Sequence, residues 1–135
     1  ALPLTELHAA LARADVVVLA IALTPETTHL LGDAEFAQCK HGALLVNVAR
    51  GAVIDQAALV RALHTGQIGG AGLDVSDPEP LPADDPLWDA PNVLISPHFA
   101  GSGSPQSVQR IADSVSDNLR RLLAGQPLLQ VVSAG

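Results

Sequence analysis

Asp15-Val-Val-Val-Leu-Ala-Ile21 is an unbroken run of β-branched and apolar residues after its first position. A strand with one wet face alternates apolar and polar residues. A run without alternation marks a strand apolar on both faces, the kind that builds parallel sheets sandwiched by helices. Ala43-Leu-Leu-Val-Asn-Val48 repeats this character, Asn92-Val-Leu-Ile-Ser96 is a shorter version, and Gly70-Ala-Gly-Leu-Asp-Val75 is a candidate fourth strand. Helix signals lie between and after them. Thr5 is placed to cap a helix running to about Ala14, Asp33 a short one through Phe36, and Asp55 a third that puts Leu59 and Leu63 on one face and stops at Gly66. The last helix is the clearest: Ser104 caps it, Pro105 takes its first position and Gly125 closes it. Along it, Val108, Ile111, Val115, Leu119 and Leu122 form an apolar stripe.

Strands alternating with helices predict an α/β fold, a doubly wound parallel sheet with right-handed crossovers. Ligands of such sheets sit outside the carboxyl ends of the strands. Here those ends are the segments after Ile21, Val48, Val75 and Ser96. The Pro- and Asp-rich stretch from Pro78 to Pro91 reads as one ordered loop.

Composition narrows the function classes. With 48 % hydrophobic residues the chain is no disordered tail, and with 2 % aromatics its core must be built from Ala, Leu, Val and Ile. A net charge of −7 with seven scattered cations argues against a nucleic-acid partner. The apolar run Val16–Leu23 is too short to cross a bilayer, and no basic amphipathic helix suggests a membrane surface. The first 14 residues carry no basic segment of the secretory kind. Cys39 is the single cysteine, which excludes an internal disulfide, fits a reducing cytoplasm and reads as a small buried hydrophobe. His8, His29, His41 and His64 show no metal-binding spacing, so no metal is expected. The 135 residues contain no Met, even at the start, which predicts a fragment or a trimmed product.

Three strand-end loops each bring one chemically useful residue to the same sheet edge: Arg50, Glu79 and His98. Arg can grip a carboxylate with a two-pronged fork, His can give or take a proton near neutral pH, and Glu can hold the imidazolium. That set suits a reaction on an anionic carbonyl compound. Singly, each residue has a plainer reading: a solvated Arg, a loop charge, a satisfied loop His, and for Asp74 a turn cap.

Four segments in order change that balance: Ile21-Ala-Leu-Thr-Pro-Glu-Thr-Thr28, Val46-Asn-Val-Ala-Arg-Gly51 with Asp55, Leu73-Asp-Val with Glu79-Pro80, and Ser96-Pro-His98. Together they resemble the signatures of the D-isomer-specific 2-hydroxyacid dehydrogenase family. The resemblance runs from Leu4 to about Val131. It implies a Rossmann-like sheet, with residues 1–103 as the C-terminal part of an NAD(P)-binding domain and residues 104–135 as a long helix and tail returning toward a substrate domain encoded upstream. By resemblance, Arg50 binds the substrate carboxylate and carbonyl oxygen. His98 is the general acid in reduction and the base in reverse, paired with Glu79. Ile21, Ala22, Leu23, Thr27, Val48, Ala49, Arg50, Asp74, His98, Ala100 and Gly101 form the NAD or NADP contacts, with Asp74 meeting the nicotinamide carboxamide. The family often has Pro at the position of Ala22 and Phe at that of Ser76. A formate dehydrogenase would carry Gln at the position of Glu79, which ranks that reading low.

The family's Gly-rich phosphate turn is absent from the sequence. Gly101-Ser-Gly-Ser-Pro-Gln106 is a decoy, because Gln106 replaces the third Gly. The isolated 135 residues are therefore expected to be inactive. The complete protein is expected to be a cytoplasmic homodimer acting on a small 2-oxo or 2-hydroxy acid, with glyoxylate or hydroxypyruvate reduction first. The competing expectation is a dehydrogenase-like corepressor or scaffold that senses NAD(H).

Overall fold

A computed structural model describes residues 4–101 and 104–131. The chain divides into two compact units, Ala1–Ala100 and Gly101–Gly135. The first holds one parallel sheet of β1 (Val16–Leu19), β2 (Ala43–Asn47), β3 (Ile68–Leu73) and β4 (Val93–Ile95), in that spatial order. Every neighbouring pair is parallel, with Val16 opposite Leu44, Leu45 opposite Ala71 and Leu73 opposite Ile95. This is the parallel α/β sheet expected from the apolar runs, in the Rossmann-like form that the resemblance implies.

Parallel neighbours need crossovers. Two of them carry helices: α2 (Asp33–Gln38) between β1 and β2, and α3 (Gln56–His64) between β2 and β3; α1 (Leu7–Leu11) precedes β1. The third, from β3 to β4, has only a 3-10 turn at Pro86–Asp89. Pro78, Pro80, Pro82, Pro86 and Pro91 withhold the N–H groups an α-helix needs. A chain that cannot coil there runs instead as a strap over the sheet edge, and it is this strap that carries Glu79.

The core lies on one face of the sheet. Leu11, Phe36, Leu59 and Leu63 from the three helices pack with Leu19, Leu45, Ile68 and Leu73 from the strands. The strand residues of opposite parity, Val16, Val18, Leu44 and Leu94, are exposed. The strands are thus apolar on both faces, as their sequence requires, and covered on one within this unit.

Local signals decide the helix ends, not always as expected. Asp55 caps α3 by accepting from the Ala58 N–H at 3.0 Å, and Gly66 closes it at φ +74°, a backbone region that favours glycine. Thr5 does not cap α1. It sits inside a 3-10 turn, Leu4–Glu6, and the helix ends at Leu11 rather than Ala14. Asp33 is the first residue of α2, not its cap. Gly32 takes that place, with its N–H held by Glu35 Oε2 at 3.1 Å. Asp33 turns outward to a two-pronged ion pair with Arg61, which lowers its carboxyl below the ordinary range.

The second unit is α4 (Pro105–Leu123) and its tail. Ser104 accepts from the Ser107 N–H at 3.0 Å, Pro105 opens the helix, and Gly125 follows it at φ +65°. Asn118 fixes the tail to the helix by bonding both the N–H and the C=O of Leu129. No described helix is long and apolar enough to cross a membrane.

Candidate active site at the strand ends

His98 and Glu79 are paired. His98 Nδ1 lies 2.6 Å from Glu79 Oε1. A carboxylate only accepts, so Nδ1 carries the hydrogen and Nε2 is left for a ligand: an acceptor in the neutral ring, a donor in the imidazolium. The two side chains are 42 % and 40 % exposed, accessible to a small ligand. They line one hollow of about 310 Å³ with Asp74, Leu81, Trp88 and Ile95.

The backbone that presents His98 is held in an uncommon conformation. His98 has φ +53°, in the left-handed region that side chains with a Cβ rarely adopt. Asp74, at the end of β3, holds it there. Asp74 is buried, and its carboxylate accepts three hydrogen bonds: from the Ser96 hydroxyl at 2.6 Å, the Phe99 N–H at 3.0 Å and the Ala100 N–H at 2.8 Å. The Ser96 hydroxyl, then the Ala100 and Phe99 amides and the nearby His98, hold this carboxyl below the usual carboxylate range. Asp74 thus grips the residues on both sides of His98.

Arg50 sits in a second hollow. Its turn leaves β2 through Asn47, a polar residue in an apolar strand. Asn47 is buried, and its amide accepts from the Ala49 N–H at 3.0 Å and donates to the Arg50 carbonyl at 3.0 Å. A buried amide is tolerated when it is satisfied, and here its satisfaction shapes the turn. Gly51 follows because nothing larger fits: an added Cβ would lie 2.0 Å from the Ser76 carbonyl oxygen. The Arg50 side chain is exposed, with Nη1 donating to the neighbouring Ala49 carbonyl at 2.7 Å. The second hollow, about 470 Å³, is lined by Ala20, Ile21, Ala22, Leu23, Val48, Ala49 and Arg50.

The three expected chemical residues therefore occupy one sheet edge but not one contact. Glu79 and His98 touch. Arg50 stands at the end of β2, two strand spacings or roughly 10 Å from the end of β4.

The family model described as "D-isomer specific 2-hydroxyacid dehydrogenase, NAD binding domain" matches residues 1–100. The chain belongs to the D-isomer specific 2-hydroxyacid dehydrogenase family. Among its relatives, glyoxylate/hydroxypyruvate reductase B of Citrobacter koseri is 45 % identical over 121 residues, which cover 90 % of this chain and 37 % of that protein. A solved D-isomer specific 2-hydroxyacid dehydrogenase from Xanthobacter autotrophicus Py2, in complex with NADPH and MES, superposes with a TM-score of 0.86 at 43 % identity, covering 96 % of this chain and 52 % of that one. The NADPH-dependent glyoxylate/hydroxypyruvate reductase of Sinorhizobium meliloti, in complex with NADP and sulfate, gives a TM-score of 0.84 at 34 % identity, covering 96 % of this chain and 42 % of that one. The chain thus spans well under two thirds of the length of these relatives.

Within this family member, Ile21, Ala22, Leu23, Val48, Ala49 and Arg50 share one hollow, while Asp74, Glu79 and His98 share the other. Thr27 is buried and committed to its own turn, accepting from the Thr24 N–H at 2.7 Å and donating to the Ala22 carbonyl at 2.8 Å. Ala100 ends the first unit and Gly101 begins the second. Sequence reading missed Ser96, Asn47 and Trp88 as site residues. Asn47 and Ser96 both lie within signatures quoted above, and Asn47 also stands out as a lone amide in an apolar strand. Cys39 is buried, donates weakly to the Glu35 carbonyl, and its thiol is pushed up by burial, which makes it a poor nucleophile. Among the described residues, no three His, Cys, Asp or Glu side chains are grouped to hold a metal ion.

Proposed function

We propose that this chain is the catalytic half of an oxidoreductase that moves a hydride between NAD(P)H and a small 2-oxo or 2-hydroxy acid of the D series. The observation that carries this reading is the pairing of His98 with Glu79 in an accessible hollow, on the same sheet edge as an exposed Arg. The nicotinamide cofactor, when bound, supplies the hydride. The chain's residues fit it: Ile21 and Val48 offer exposed apolar side chains beside the small Ala20, Ala22 and Ala49, as a flat ring requires. The Asp74 carboxylate uses three of its roughly four acceptor positions, leaving one for a carboxamide N–H. Thr27 acts through the turn it holds.

In reduction, Arg50 grips the substrate carboxylate, and four of its five N–H donors are available beyond the bond to Ala49. The C–H bond forms at the carbonyl carbon, and the carbonyl oxygen takes the proton from His98 Nε2. Glu79 holds Nδ1–H throughout, so the imidazolium before transfer is stabilised and the ring keeps one tautomer. Oxidation runs the same steps backward, with His98 as base. The names of the relatives favour glyoxylate or hydroxypyruvate as substrate. The family resemblance and the single cysteine support, as part of the same proposal, a complete protein that is a cytoplasmic homodimer. The same reading makes the 135 residues alone inactive, because no Gly-rich phosphate turn lies within them.

The test is oxidation of NADH and NADPH by the complete protein with glyoxylate, hydroxypyruvate, pyruvate and 3-phosphohydroxypyruvate. His98→Ala should cost at least ~10²-fold in kcat. Tight cofactor binding without turnover of any of the four acids would instead favour a nucleotide-sensing scaffold.

A further inference from the structure

Glu79 rides on a strap that no helix supports, so something else must fix where its carboxylate meets His98. The strap's two ends converge on one side chain. Gln56, the first residue of α3, accepts from the Asp77 N–H at 3.2 Å and donates to Asp85 Oδ2 at 3.0 Å. Asp85 in turn accepts from the Leu87 N–H at 2.8 Å and so caps the 3-10 turn that ends the strap. One half-buried amide thus spans the strap from two residues before Glu79 to six after it. Its acceptor end and donor end are both needed, each on the correct side.

We propose that Gln56 is a positioning residue for the Glu79–His98 pair: its side-chain amide ties both ends of the 77–85 strap to α3 and thereby sets the carboxylate on the imidazole. This inference rests on the catalytic reading of that pair given above. It requires an amide at position 56 specifically. A carboxylate there would still accept from the Asp77 N–H but would face the Asp85 carboxylate with no proton between them. At the start of a helix, an acidic residue is otherwise favourable. Damage from Gln56→Glu therefore cannot be attributed to a weakened α3.

The experiment uses the complete protein carrying Gln56→Glu, Asp85→Asn, both together, and Gln56→Ala as a variant without like-charge repulsion. Two readouts are taken. One is kcat and KM for the oxo acid. The other is the ¹⁵N shifts of the His98 ring in histidine-labelled protein, assigned with His98→Gln; these report whether Glu79 locks the Nδ1–H tautomer, with or without turnover. Gln56→Glu and Gln56→Ala are expected to lower kcat roughly 10- to 100-fold, the scale for ångström-level misplacement. KM should change much less, and the His98 ring shifts should move toward tautomer averaging. In the double variant the amide introduced at position 85 donates to the carboxylate introduced at position 56. The bridge is then reversed in polarity but complete, and both readouts should return to within a few-fold of the parent.

Failure of the double variant to recover would overturn the proposal. So would single variants whose His98 ring shifts match the parent, even if their stability falls. Should the parent turn over none of the acids while the ring shifts follow the expected pattern, the positioning role stands and the dehydrogenase reading falls.

Discussion

His98 Nδ1 and Glu79 Oε1 meet at 2.6 Å although they stand 19 positions apart, with strap, turn and strand between them. The bond does two things at once. It fixes the ring's tautomer so that Nε2 is left for a ligand, and it places a negative charge behind a ring that, in the proposed reduction, must become positive. Glu79→Gln separates these effects, because an amide oxygen can accept from Nδ1–H but cannot neutralise the imidazolium. The expected outcome is a loss of roughly tenfold or more in kcat for reduction, smaller than the ~10²-fold or greater loss for His98→Ala. Steady-state kinetics of both variants in the complete protein check the order. Equal losses would mean that orientation counts for nothing without charge.

Asp74 predicts a pH dependence of a different kind. Its carboxyl is held below the usual range by the Ser96 hydroxyl and the Ala100 and Phe99 amides. A group whose folded value is depressed contributes stability that is complete above its unfolded value, about 3.9 for Asp. That contribution is lost as pH falls through the lower folded value. The grip on His98 should therefore be intact from pH 5 upward. Backbone NMR shifts of Phe99 and Ala100 should show an acid transition below that range. Asp74→Asn should abolish this acid transition and lower the melting temperature at neutral pH, because an amide oxygen cannot replace both carboxylate oxygens as acceptors. Persistence of the acid transition in Asp74→Asn would contradict the assignment.

What is legible in the sequence follows from range. The Asp55 cap, the Gly66 stop and the Ser104–Pro105 opening of α4 are readable because their partners lie within one helical turn. The parallel sheet is readable because an apolar run without alternation has few other uses. Thr5 and Asp33 mislead because a capping residue type is only a licence. Glu35, reaching back to the Gly32 N–H, decides where α2 begins. The bonds that Ser96 and Gln56 make are invisible because their partners stand 22 and 29 positions away. A loop hydroxyl or an amide at a helix start carries no mark of so distant a bond. The separation of Arg50 from the Glu79–His98 pair is likewise set by strand order, which local pattern does not encode.

Asn47 gives a prediction about both stability and binding. Its amide serves the Ala49 N–H and the Arg50 carbonyl from a buried position. Asn47→Leu keeps the branched shape and removes both bonds, leaving the Ala49 N–H without a partner while the Arg50 carbonyl still accepts from the Val53 N–H at 3.2 Å. The expected cost is about 1–3 kcal/mol for the unpaired Ala49 N–H, measured as a fall in the urea midpoint. Because the loosened turn carries Arg50, KM for the oxo acid should rise by more than kcat falls. A stable variant with unchanged KM would show that the turn holds its shape without Asn47.

Gly51 lies where the Arg50 turn and the Glu79 strap touch. A Cβ there would come within 2.0 Å of the Ser76 carbonyl oxygen and 2.6 Å of the Asp77 nitrogen, both backbone atoms that no rotamer change can withdraw. Gly51→Ala must therefore move one segment off the other. Overpacking of this kind costs about 1–3 kcal/mol and sometimes more, read from denaturant unfolding with an unchanged slope. Its functional signature should differ from that of Asn47→Leu. Displacing Ser76 and Asp77 shifts the Gln56-bound end of the strap as well as the Arg50 turn. KM and kcat should then deteriorate together, and the His98 ring shifts should move. A Gly51→Ala protein with raised KM, parental kcat and parental ring shifts would mean that the strap absorbs the displacement before it reaches Glu79.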